Sequence, residues 1–256
     1  MASHAGVRDP RSAWTWTLLR PILMLRLRLF RKLVSEGIYP PPAPVGPAPC
    51  EADRVLFVGS TASARFGVTV EGLTTLSRVS VSVSAQRGKQ FHWIQTGVSI
   101  LSAREAAARI EEIAGDADAA LVAIGFTDVL LMTRPTDWAT NLMALIQEVQ
   151  GRAGSSCGIV LAGIPPMADF RQSSRLGRVR IRNQVVRLNE ATRIVADSCG
   201  ACVFVPFPVL QPGVAEMRRH EYSWAAVHLV WSRALSDALI EVLDHTAPLT
   251  TNPERT

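Results

Sequence analysis

The chain has 256 residues, 48% of them hydrophobic and 19% charged, with a net charge of +5 and four cysteines. That length and apolar content bury a full core and exclude a disordered chain, while the few, unevenly spaced cysteines exclude a small disulfide-stapled scaffold. The basic excess gathers at 20–32 and 171–193, and the second stretch is arginine-rich with almost no aromatics, which argues against a nucleic-acid partner.

In chain order, "WTWTLLRPILMLRLRLFRKLV" (14–34) comes first, apolar but interrupted by Arg20, Arg26, Arg28, Arg31 and Lys32. A spanning helix needs about 20 residues nearly free of charge. A secretory signal carries its charges ahead of the apolar run and a small-residue cleavage site behind it. The segment fits neither pattern. It is expected to form a basic amphipathic helix from about Pro21, which lies on a membrane surface or packs against its own domain. The expected location is cytoplasmic, with the inner membrane face as the surface in reach. "YPPPAPVGPAPCEAD" (39–53) follows as an extended linker. These readings divide the chain into an amino-terminal helix and linker (1–53), a globular domain (54–246) and a disordered tail (247–256).

Within the domain, apolar runs rich in β-formers at 54–58, 90–95, 119–124, 157–163 and 202–207 alternate with helical patterns near 63–76, 102–114, 137–150, 178–198 and 224–244. "ALVAIG" is apolar without alternation, as in a strand buried on both faces. The alternation predicts a three-layer α/β/α fold around a mostly parallel five-stranded sheet. Cys199-Gly-Ala-Cys202 has C-x-x-C form but follows a helical pattern and enters a strand, with Gly200 as a helix stop. Redox pairs of this form open helices instead, so the two cysteines read as small apolar residues at a joint. Zinc would need two further ligands, and none is near in sequence. No phosphate-binding glycine motif follows a strand, and no cofactor or metal is expected.

In a parallel sheet, ligands bind beyond the carboxyl ends of the strands. Those ends carry Gly59-Ser60-Thr61-Ala62-Ser63-Ala64-Arg65-Phe66-Gly67, Gln95-Thr96-Gly97, Gly125-Phe126-Thr127-Asp128 and Gly163-Ile164-Pro165-Pro166-Met167. Arg219-His220-Glu221-Tyr222-Ser223-Trp224 comes later, with Trp231 nine residues after Tyr222. Taken in order, these segments resemble the blocks of the SGNH/GDSL hydrolase family over nearly the whole chain. The resemblance implies a flavodoxin-like sheet, ester or acyl hydrolysis and a small acyl or ester ligand. It also implies that Thr61, Gly97 and Thr127 meet at one end of the sheet as nucleophile and oxyanion positions, with Ser60, Ser63 and Asp128 as further ligand-binding positions.

The motifs depart from the family where its chemistry lies. Thr61 stands in the place of the nucleophilic serine, with Ser60 for the aspartate before it and Thr127 for the oxyanion asparagine. Counted back from Trp231, Tyr222 stands for the base histidine and Arg219 for its orienting aspartate. A threonine's extra methyl restricts χ1, and a hydroxyl without an adjacent base is a weak nucleophile. Tyrosine does not exchange protons near neutral pH as histidine does. The expectation is a pseudoenzyme, inactive or strongly impaired, that still binds a ligand. The alternative is a working esterase in which His220, oriented by Glu216, serves Thr61 or Ser63 after a local shift of the loop. His228 is expected to be a packing residue on the last helix.

Overall fold

A computed structural model describes residues 51–59, 68, 70–95, 102–110, 117–154, 157–167, 175–209 and 224–246, together with 21, 24, 25 and 28. Its strands are β1 (Asp53–Gly59), β2 (Phe91–Gln95), β3 (Ala119–Ala123), β4 (Gly158–Ala162) and β5 (Cys202–Val205). Its helices are α1 (Thr75–Arg87), α2 (Ala103–Arg109), α3 (Phe126–Leu130), α4 (Pro135–Ala153), α5 (Arg175–Ser198) and α6 (Trp224–Thr246). The strands form one sheet in the order β2-β1-β3-β4-β5, and every pairing is parallel. The sequence expectation of a five-stranded α/β sheet therefore holds, and the parallel arrangement is complete.

Central strands of such a sheet are covered on both faces, and their composition follows from that. β3 is Ala-Ala-Leu-Val-Ala and every residue in it is buried; the small alanines let a helix approach from either side. One core layer packs Leu56, Val58, Val122 and Leu161 against α2, α4 and α5, through Ala106, Leu142, Leu145 and Leu188. The opposite layer packs Val55, Phe57, Leu121 and Val160 against α1 and α6, through Val79, Val83, Leu235 and Leu239. Each such aliphatic side chain taken out of water contributes roughly 1.5–3 kcal/mol before ordering costs are set against it.

Of the helix expected near 63–76, residues 63–67 and 69 lie outside the described residues. A short 3-10 turn occupies Glu71–Leu73 and α1 begins at Thr75, capped by the Thr74 side chain, which accepts from Ser77 N–H at 3.3 Å. Its sequence, Val79-Ser80-Val81-Ser82-Val83, alternates like a strand, yet Val79 and Val83 are fully buried and Val81 is 70% exposed. Those two valines are four residues apart, on one face of a helix, and tertiary burial overrides the local alternation. The other helices fall where the periodicity put them. α2 opens on a capping box in which Ser102 accepts from Glu105 N–H and Glu105 accepts from Ser102 N–H.

At the amino ends of the strands, Arg87 on α1 joins β1 to α6. Its Nε donates to Asp53 Oδ2 at 2.7 Å, and its Nη1 pairs with Asp244. The amino-terminal helix expected over 14–34 lies outside the described residues except for Pro21, Met24, Leu25 and Arg28, which are helical and exposed. Most of the 39–53 linker and all of the 247–256 tail lie outside them too. Among the described residues, no helix is long and apolar enough to cross a membrane.

Candidate functional site

The parallel register sets where the loops must meet. Gly59 at the end of β1 pairs with Ala123 at the end of β3, so the two chains leave the sheet side by side. This is the point at which connections turn to opposite faces, and a crevice forms there in parallel α/β sheets. Ser60, Thr61 and Ser63 follow Gly59 directly but lie outside the described residues, as do Gly97, Glu216, Arg219, His220 and Tyr222. Thr127 and Asp128 are the expected site residues that the structure describes.

From β3 the chain passes through Ile124 to Gly125, whose φ of 115° is open to glycine and strained for any other residue. A Cβ at this position would also meet Ile164 Cδ1 at 2.5 Å and Trp138 Cη2 at 3.2 Å. Gly125 caps α3, a five-residue helix not read from the sequence, and its carbonyl accepts from Val129 N–H at 2.8 Å. Thr127 is the second residue of that helix. It is fully buried, and its Oγ1 has no hydrogen-bond partner among the described residues.

Asp128 is 3% exposed and both carboxylate oxygens face donors. Oδ2 accepts from Ala103 N–H at 2.9 Å, one of the N–H groups that open α2 and have no partner within the helix. Oδ1 accepts from the Thr133 hydroxyl at 2.9 Å, and the Asp128 carbonyl accepts from Thr133 N–H at 2.9 Å. Burial pushes the Asp128 carboxyl up to about 6; the bonds from Ala103 and Thr133 oppose that shift and nearby Glu105 adds to it. The side chain thereby ties α2 to α3 and to the turn into α4.

Two residues of α5 complete this frame. The buried Gln184 donates from Nε2 to the Thr133 carbonyl at 2.6 Å. Asn189 grips the segment after β4 at two points: Oδ1 accepts from Ile164 N–H at 2.8 Å and Nδ2 donates to the Ile164 carbonyl at 3.0 Å. Trp138 Nε1 donates to Thr192 Oγ1 at 3.0 Å, locking α4 to α5 below the same loops. Sequence reasoning missed Gln184, Asn189 and Thr192. The available signal was polar residues recurring on the inward stripe of α5 among Val185, Leu188 and Val195.

In the opposite layer, His228 is buried on α6, with Nδ1 2.6 Å from Thr75 Oγ1 at the start of α1. Trp231, one turn further on, stacks edge-on against Phe207 at 5.4 Å between ring centres. His228 thus joins α6 to α1, and Trp231 joins it to the segment after β5. Among the described residues no group of three or more histidine, cysteine or acidic side chains is placed to hold a metal ion.

By sequence, no family model and no curated protein matches the chain. Solved structures do match. A candidate lipolytic protein of the G-D-S-L family from Desulfitobacterium hafniense aligns at 10% identity and a TM-score of 0.51, covering 72% of this chain and 98% of its own. A candidate platelet activating factor from Streptococcus pneumonia aligns at 16% identity and a TM-score of 0.51, covering 89% of this chain and 99% of its own. TesA aligns at 17% identity and a TM-score of 0.50, covering 75% of this chain and 97% of its own. At such identities the likeness establishes the fold: this chain folds as the SGNH/GDSL hydrolases do.

Proposed function

We propose that the chain is a pseudoenzyme on the SGNH hydrolase fold, which holds a small acyl or ester ligand at the carboxyl end of its sheet without turning it over efficiently. The observation that carries this reading is Thr127. It occupies the oxyanion-donor position of the resemblance, it is fully buried, and its hydroxyl donor sits one bond nearer the backbone than the amide nitrogen of the asparagine expected there. Loss of one oxyanion donor costs ~100- to 1,000-fold in turnover. Thr61, Tyr222 and Arg219 at the nucleophile, base and acid positions remove the rest of the machinery, and members of such a unit do not act additively.

Support for ligand binding comes from the frame. Asp128, Gln184 and Asn189 hold the loops after β3 and β4 with buried and half-buried polar bonds, and such bonds leave unsatisfied groups when broken. The scaffold of a site persists where its chemistry has changed. Contact with a membrane surface through residues 14–34 is compatible with this reading and belongs to the same proposal.

The test is restoration. Thr61→Ser, Thr127→Asn, Tyr222→His and Arg219→Asp together are expected to raise hydrolysis of short-chain p-nitrophenyl esters by at least ~100-fold, while each change alone leaves it near background. A folded fourfold variant that stays at background would overturn the reading of the crevice as an ester site.

A further inference from the structure

We propose that Cys199 and Cys202 form a redox site, closing to an intramolecular disulfide at the joint of α5 and β5 when the chain meets a glutathione-type disulfide. The sequence pattern alone marks them as packing residues; their placement adds the chemistry. Cys199 directly follows the last turn of α5, its N–H bonded to the Ala196 carbonyl at 3.0 Å, and Cys202 opens β5. The N–H of Cys202 donates to the Cys199 carbonyl at 3.1 Å, which bends Gly200 and Ala201 into a tight turn and directs both side chains to one side. The sulfurs are in contact, 2.7 Å apart, and both thiols are free. Both cysteines are half-buried, and the turn between them is open, since a Cβ on Gly200 would touch nothing within 4 Å.

The location sets the kind of redox site this is. Catalytic C-x-x-C pairs open a helix, where the positive end of the dipole stabilises a thiolate. This pair closes one, facing the negative end. Burial first, and then the bond with Cys199, hold the Cys202 thiol far above its ordinary range. A reduced form without thiolate stabilisation gives a disulfide that resists reduction, while exchange near neutral pH is slow. The pair is suited to a slow, stable staple and not to a rapid exchange catalyst. Cys157 packs in the same core layer but is buried, its thiol pushed up to about 12 mainly by desolvation, and it stays out of the exchange.

The reaction balances through a mixed disulfide. One protein thiolate attacks the oxidant's S–S bond and releases one glutathione thiol. The second protein thiolate then attacks the mixed disulfide, forms the Cys199–Cys202 bond and releases the other. Two protons leave the protein, and two electrons pass to the oxidant.

Reduced full-length chain equilibrated with reduced and oxidised glutathione, acid-quenched and alkylated, provides the test. Of four thiols, two are expected to be lost together, and the tryptic peptide 194–218 is expected to lose two hydrogens and escape alkylation. Cys199→Ser and Cys202→Ser should each yield a glutathione adduct in place of that loss. The equilibrium constant for closure should be at least about tenfold greater for folded chain than for chain in urea, because the fold holds the two sulfurs together. Equal constants would reduce the pair to two neighbouring cysteines and overturn the proposal. So would a peptide that stays doubly alkylated, or pairing with Cys50 or Cys157.

Discussion

Replacing Asp128 with asparagine probes how the candidate site is built. The carboxyl titrates near 3.8 when unfolded and is pushed up to about 6 in the folded chain, chiefly by burial. Between those values the folded state holds a proton that the unfolded state has released, so stability is greatest below the lower value and falls as pH rises through the upper one. A shift of that size corresponds to about 3 kcal/mol. Asparagine fits the same contacts: its Oδ1 accepts from Ala103 N–H and its Nδ2 donates to Thr133 Oγ1, which as a hydroxyl also accepts. It does so without a charge. Urea unfolding of both proteins across about pH 4 to pH 8 is the assay. Relative to wild type, Asp128→Asn is expected to gain about 3 kcal/mol over that range, most of it between about pH 4 and pH 6. Parallel stability curves for the two proteins would refute the claim that a buried, desolvated carboxylate ties α2 to α3.

Gly125→Ala is expected to cost about 2–4 kcal/mol in thermal or urea unfolding, from a strained φ of 115° together with overlap on Ile164 and Trp138. Arg87→Met should cost about 3 kcal/mol by leaving the Asp53 carboxylate buried without its partner. Adding Asp53→Asn should return much of that loss, and a double variant as unstable as the sum of the two single ones would remove the pair from the account.

The layers and the sheet were legible because burial on both faces dictates composition: Ala119–Ala123 and Gly158–Ala162 are apolar without alternation and stand at the centre. α1 went unread beyond Leu76 because Val-Ser alternation lacks the helical period, and only packing in the fold selects Val79 and Val83 together. α3 escaped notice because five residues carry no period; it exists through the backbone freedom of Gly125 and its bond to Val129. At the site, Thr127 and Asp128 were found from a motif at a strand end. Gln184 and Asn189 were not, since each bonds backbone far away in sequence, at Thr133 and Ile164, and side-chain-to-backbone bonds leave no partner residue to match. The cysteine pair was seen as a spacing, and its significance lay in a turn that spacing does not encode.

Turnover by the wild-type full-length chain tests the central claim most directly. Hydrolysis of short-chain p-nitrophenyl esters should stay at the rate of buffer with an unrelated protein, and His220→Ala should leave that rate unchanged. Robust turnover in the wild type, abolished in His220→Ala, would contradict the account and establish a working esterase with His220 as its base.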